Sequence, residues 1–234
     1  MTRDEFRAYA LPLCHSARRF NKVFGIGANK TGTTTLGEVL HLIGLNVAPQ
    51  ALTELNSLGI HHGELNDLVS FMRAYDAFQD RPFSMKSYYA QMDALFPKSK
   101  FILTYRDPEQ WFASRCNFAK RNYGVDDVAK ITESALKERT HVKPGYMYRM
   151  NEIDWFVDVD AQLQLTRSFA RMFDQKYCIA QYQQRNQEII RHFSERPQDL
   201  LVIDLTTESD THKIINFLGL PVGLVTAMPH ANKT

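Results

Sequence analysis

Cysteine is scarce in this sequence: Cys14, Cys116 and Cys178 are the only three in 234 residues. They are far apart and odd in number, with no C-x-x-C pair and no zinc-type spacing. That argues against a disulfide scaffold or a cysteine metal site, and small thiols in a reducing cytoplasm are expected. Long apolar runs are missing as well, since none approaches the ~18 residues of a membrane span. No signal peptide is evident, because Ala8 to Leu13 is short and broken by Pro12. Nor does charge of one sign dominate. Lys and Arg number 28 against 26 Asp and Glu, for a net charge of +2. This argues against a dedicated nucleic-acid or membrane surface and leaves room for a local basic pocket. There is no internal repeat and no low-complexity linker. What remains, 44% hydrophobic and 23% charged residues, describes a soluble globular chain whose length suits one domain over 1–234.

One stretch organises that domain. Lys22-Val-Phe-Gly-Ile-Gly-Ala-Asn-Lys-Thr-Gly-Thr-Thr-Thr-Leu36 begins as a short apolar strand and becomes a loop rich in Gly, Lys and Thr. It then enters a segment with Leu36, Val39, Leu40 and Ile43 at helical spacing. Strand, small-residue loop and helix together make a phosphate cradle. Gly permits the tight turn, successive N–H groups converge, and the first helical turn adds free donors. Lys30 supplies a cation, and Thr31, Thr33, Thr34 and Thr35 offer hydroxyls. The nucleotide triphosphate pattern G-x-x-x-x-G-K-[ST] fails because Asn29 precedes Lys30. The dinucleotide pattern fails because Lys30 takes the third small position.

Along the rest of the chain, residues 1–20 suggest a basic amphipathic helix, Leu45 to Ala48 a short strand and Pro49 to Gly63 a polar loop. Leu65 to Tyr75 is expected to be helical and Asp76 to Asp80 a strand. Tyr88 to Phe96 reads as a helix with Tyr89, Met92, Leu95 and Phe96 on one side. Lys100 to Arg106 is the strongest strand, apolar enough to lie centrally in a parallel sheet. Asp107 suits the N-cap and Pro108 the first position of the helix that follows. Residues 118–195 read as a mostly helical insertion broken at Pro144-Gly145. Leu200 to Asp204 is expected as a second buried strand and Ser209 to Leu218 as the last helix. The whole describes an α/β fold of three layers, a mostly parallel central sheet flanked by helices. In such a sheet ligands sit beyond the carboxyl ends of the strands, here Gly27–Lys30, Asp80, Arg106 and Asp204.

Ser114 follows Arg106 by eight residues. A helix starting at Pro108 places Ser114 about two turns in, able to face back to the strand end. An Arg fork and a Ser hydroxyl can then hold one phosphate together. The Lys-Thr-Gly-Thr-Thr loop resembles the 5′-phosphosulfate loop of sulfotransferases that use 3′-phosphoadenosine 5′-phosphosulfate (PAPS), and the Arg106–Ser114 pair resembles their 3′-phosphate site. Asp80-Arg-Pro, Phe96-Pro-Lys-Ser-Lys-Phe-Ile-Leu-Thr-Tyr-Arg-Asp-Pro-Glu-Gln-Trp-Phe-Ala-Ser, Asp199-Leu-Leu-Val-Ile-Asp, Phe217-Leu-Gly-Leu-Pro and Pro229-His-Ala-Asn extend the likeness over most of the chain outside the middle helices.

The resemblance implies a P-loop-like α/β fold that moves a sulfuryl group from PAPS to a hydroxyl or amine, with no metal required. It implies donor binding by Lys30, Thr31, Gly32, Thr33, Thr34, Thr35, Arg106 and Ser114. Two features depart from the cytosolic members. They place a Trp directly after the loop, where this chain has Thr35, and their Lys-Thr-His tripeptide is approximated only by Lys86-Ser87-Tyr88.

The expected catalytic residues are Lys30, Asp80 as base and Lys86 to orient donor or acceptor, with His61 and His62 as other candidates for the base. His230 and Asn232, near the C-terminus, either close over the site or belong to an unattached tail. The acceptor is a small molecule, carbohydrate or lipid. A P-loop small-molecule kinase and a non-catalytic nucleotide-binding protein on the same fold are the alternatives.

Overall fold

A computed structural model describes residues 1–57, 65–139, 141, 143–146 and 171–229. His61, His62, His230 and Asn232 therefore lie outside the described residues, as does most of the aromatic-rich Ile153 to Phe173 stretch.

Four parallel strands form the sheet among the described residues: β1 (Val23–Gly25), β2 (Ala77–Phe78), β3 (Lys100–Thr104) and β4 (Leu200–Ile203), in the order β2-β1-β3-β4. This is the expected α/β architecture. The chain leaves β1 towards β2 on one side and leaves β3 towards β4 on the other. The reversal falls between β1 and β3, and a cleft outside the carboxyl ends of these two strands follows from it.

Helices cover both faces because the strand side chains alternate between them. On one face Val23, Ile102 and Ile203 pack against α1 (Arg3–Ala17), α2 (Thr33–Leu42) and α9 (His212–Phe217). On the other, Phe24, Phe78, Phe101 and Leu103 meet α4 (Leu65–Arg73), α5 (Tyr88–Leu95) and α8 (Gln175–His192). Phe24 is the hub of that second core. Its ring stacks on Phe78 at 5.2 Å and on Phe101 at 5.4 Å, and each such pair contributes about 0.5–1.5 kcal/mol beyond its buried area.

The expected boundaries hold where local chemistry is strong. Gly44 takes the left-handed conformation (φ 99°) just past α2. Asp107 caps α6 (Pro108–Tyr123) by accepting from the Gln110 amide at 3.0 Å, with Pro108 at the first position.

Four expectations are corrected. Pro49 to Gly63 is not all loop, because α3 (Gln50–Ser57) occupies its first half. The buried face of α3 is polar, made by Thr53, Glu54 and Ser57, so no apolar period announces it. Leu45 to Ala48 contributes a single bridge, Val47 to Ala77. Leu95 is exposed, while Tyr89, Met92 and Phe96 are buried. Among the described residues β4 is an edge strand and not a buried one, with Val202 45% exposed. Beyond α6, the described part of 118–195 holds α7 (Glu133–Glu138) and α8.

Candidate active site

The β1–α2 loop is held in place by glycines and by its own threonine. A Cβ on Gly27 would overlap the hydroxyl and main chain of Thr104 at the end of β3, so this approach of loop to sheet requires glycine. Thr31 is fully buried. Its hydroxyl lies 2.6 Å from both the Ala28 carbonyl and the Thr104 hydroxyl. That side chain is committed to fastening the loop, so it is the Thr31 amide and not its hydroxyl that stays available to a ligand. Lys30 (φ 72°) and Gly32 (φ 96°) are left-handed on either side of it, an alternation that gathers N–H groups into a concavity. Gly32 caps α2 with no side-chain hydrogen bond. The helix therefore starts with donors that no side-chain cap takes up, beside the exposed Thr34 and half-buried Thr35.

Asp80 meets this loop from the end of β2. Its carboxylate accepts from the Thr33 hydroxyl and the Ser84 hydroxyl, each at 2.9 Å, and its own φ is 59°. Lys30 lies between the elements, its ammonium 4.2 Å from the centre of the Phe118 ring. Burial and the nearby Arg121 lower its pKa, Asp80 opposes them, and Arg106 lowers it further. Lys30 thus feels the charges of both Asp80 and Arg106, which follow the carboxyl ends of β2 and β3.

Arg106 sits just past the end of β3, and its Nε is buried without a hydrogen-bond partner among the described residues. A buried guanidinium N–H that no acceptor takes up is the kind of group an anion satisfies. The Arg106 main chain is fixed from α8. The Tyr182 hydroxyl accepts from its amide and donates to its carbonyl, both at 3.0 Å. Ser114 is half-buried on α6.

Tyr182 also stacks on Trp111 with ring centres 4.3 Å apart, and the Trp111 indole donates to the Asn29 carbonyl at 3.0 Å. Arg185, further along α8, donates to the carbonyls of Ile26, Phe83 and Lys86. Sequence reasoning missed the roles of Trp111, Tyr182 and Arg185.

Beside the loop opens a cavity of about 330 Å³, bounded by Ala28 and Asn29, by residues 84–87, and by facing stretches of α6 and α8. Lys86 (φ 43°) lines this cavity and not the loop itself. No cluster of three or more metal-binding side chains occurs among the described residues.

A family model described as a sulfotransferase domain matches residues 22–234. The chain belongs to the sulfotransferase family. No curated protein matches it. In this sulfotransferase the matched region starts at the residue before β1 and includes the loop, both strand ends and the cavity. Sulfotransfer is the general activity of that family, and the four-stranded parallel sheet with its helices is an α/β architecture consistent with it. None of the described helices is long and apolar enough to cross a membrane.

Proposed function

We propose that the protein transfers a sulfuryl group from PAPS to a hydroxyl or amine of an acceptor seated in the 330 Å³ cavity. The observation that carries the reading is the pairing of two anion-ready sites across the β1–β3 switch point. One is the α2 start, which no side chain caps, and the other is the buried Nε of Arg106, which has no partner among the described residues. Adenosine with phosphates at both ends has the charge pattern that two such sites suit.

The donor supplies the sulfuryl group and a 5′-phosphate leaving group. Main-chain N–H groups of 31–34 and the hydroxyls of Thr34 and Thr35 would hold the 5′-phosphate, the Thr33 hydroxyl staying on Asp80 and its amide serving the phosphate, with Arg106 and Ser114 holding the 3′-phosphate. Lys30 stabilises the negative charge that grows on the leaving oxygen as its bond to sulfur breaks. Burial strengthens that effect and leaves the ammonium in need of an anion. Asp80 takes the proton that the acceptor hydroxyl loses as its oxygen bonds to sulfur. The hydrogen bonds from Thr33 and Ser84 aim the Asp80 carboxylate. Lys86 orients the acceptor from the cavity wall.

Residues 1–234 then work as one domain, in which 118–195 supplies the acceptor side. The free Cys14, Cys116 and Cys178 suit a reducing cytoplasm.

The test is transfer of labelled sulfate from PAPS to an acceptor panel. The wild-type protein is expected to label at least one acceptor, and Lys30→Ala to label none. Full activity in the Lys30 variant would refute the role given to it.

A further inference from the structure

The sequence is nearly neutral overall, with 28 basic against 26 acidic side chains, yet the cavity is not. Among the described residues lining it, Arg81, Lys86, Arg115, Arg171 and Arg185 are cationic and Glu188 alone is anionic. Glu188 is exposed and accepts from the Gln184 side chain at 2.9 Å. Neither the loop residues 30–35 nor Arg106 nor Ser114 appears in this lining, so these cations are separate from the groups assigned to the donor.

Three of them sit against rings; Arg185, 6.0 Å from the Tyr89 ring centre, also donates to the main-chain carbonyls of Ile26, Phe83 and Lys86, which leaves Arg115 and Arg171. The Arg115 guanidinium carbon lies 5.8 Å from the ring centres of both Trp111 and Phe173, and its Nη1 donates to the Cys178 sulfur at 3.5 Å. That of Arg171 lies 5.2 Å from the Tyr177 ring. A guanidinium over an aromatic face keeps its donor edge for a second partner, and that edge matches a carboxylate, sulfate or phosphate. The same three rings line the cavity and give it aromatic surface of the kind that suits a planar apolar body. Phe118, which also lines the cavity, is the ring beneath the Lys30 ammonium, so the charged wall adjoins the proposed transfer centre.

We infer that the acceptor of this sulfotransferase carries an anionic group attached to a planar apolar body, and that Arg115 and Arg171 select for the charge. This deepens the sulfotransferase reading and rests on it. A neutral acceptor of the same shape would cover the guanidinium groups without supplying an anion, and burying a charge without a partner is unfavourable. Selection by charge follows from that asymmetry.

A matched pair of fluorescent probes tests it with the full chain and without a known acceptor. 1-Anilinonaphthalene-8-sulfonate and N-phenyl-1-naphthylamine share one ring system and differ in the sulfonate. With 3′-phosphoadenosine 5′-phosphate present, the sulfonate is expected to bind at least tenfold tighter than the neutral dye. Arg115→Leu or the exposed-site variant Arg171→Leu should remove most of that preference while keeping the neutral dye's affinity. Arg115→Lys should retain it.

Equal affinity for the two dyes, binding of neither, or a preference that survives both leucine variants would overturn the inference. Calorimetric titration of 3′-phosphoadenosine 5′-phosphate alone reads the donor assignment independently. Its failure with intact dye discrimination would count against the donor site and not against the charged cavity.

Discussion

The hydroxyl of Thr33, the first residue of α2, donates to the carboxylate of Asp80 at the end of β2 at 2.9 Å. This bond ties the anion-cradling turn to the group proposed as base, so the two strand ends act on one space. Asp80→Asn keeps the shape and removes the basicity. Its kcat is expected to fall by about 10²- to 10⁴-fold, the usual worth of a positioned general base, with donor affinity nearly unchanged. Steady-state kinetics with calorimetric donor titration check this. An unaltered kcat would remove Asp80 from the mechanism.

Lys30 predicts a pH dependence. Burial and Arg121 lower its pKa in the folded protein, with Asp80 opposing and Arg106 adding to the effect. The ammonium form is therefore lost, as pH rises, earlier than in an ordinary lysine. Affinity for 3′-phosphoadenosine 5′-phosphate should weaken on the alkaline side at a pH below the ordinary lysine value of about 10.4. Lys30→Arg should move that fall out of range, because arginine holds its proton above about pH 12. Donor dissociation constants measured across the alkaline range in both proteins decide the matter.

Two glycines near the site make opposite predictions. A Cβ on Gly27 would overlap Thr104 main chain, with the Thr104 nitrogen only 2.7 Å away. Gly27→Ala is expected to cost about 1–3 kcal/mol or more, since loop and strand must separate. The atoms nearest a Cβ on Gly37 all belong to the far end of the Gln79 side chain, a flexible group that can swing aside. Gly37→Ala should therefore be much milder, and α2 gains from it some of the helix propensity of alanine, up to about 1 kcal/mol. Urea unfolding of the two variants tests the contrast.

Asp93 predicts behaviour in acid. Its carboxylate accepts from Arg196 at 2.5 and 3.1 Å and lies 2.9 Å from the His192 ring nitrogen. Arg196 holds its pKa below the usual carboxylate range, with His192 adding to the effect against burial. The stability this supplies is present above the unfolded value of about 3.9 and is lost as pH falls through the lower folded one. Asp93→Asn should cost about 1 kcal/mol at neutral pH, reduced from the full charged-bond value because Arg196 is half exposed. The gap between wild type and variant should close below about pH 4. Chemical unfolding at neutral and acid pH measures it.

Much of the fold was legible because its signals are local. The run Val23 to Ile26, the Gly- and Thr-rich turn and the spacing of Leu36, Val39 and Leu40 together announce β1, the loop and α2. Asp107 and Pro108 mark the start of α6 by side-chain and ring chemistry alone. Strand β4 was harder. Leu200 to Ile203 is as apolar as a central strand, and what makes it an edge is that no strand pairs beyond it among the described residues, which sequence does not encode locally. Helix α3 hides because its buried face is polar.

The candidate site divides the same way. Loop residues and Arg106 fall in short motifs. Tyr182 and Arg185 act through main-chain amides and carbonyls 76 and 159 residues away at Arg106 and Ile26. Any residue offers a main-chain partner, so such bonds leave no pattern of side chains to read.

The central claim is that one nucleotide bridges the two anion sites. Calorimetry of 3′-phosphoadenosine 5′-phosphate and of adenosine 5′-phosphate, which lacks the 3′-phosphate, tests it on wild type and Arg106→Ala. The wild type is expected to favour the doubly phosphorylated ligand by about 1.5–3 kcal/mol, the worth of a charged hydrogen bond, and the variant to bind both ligands alike. Equal binding of the two ligands by the wild type, or an undiminished preference in the variant, would contradict the account.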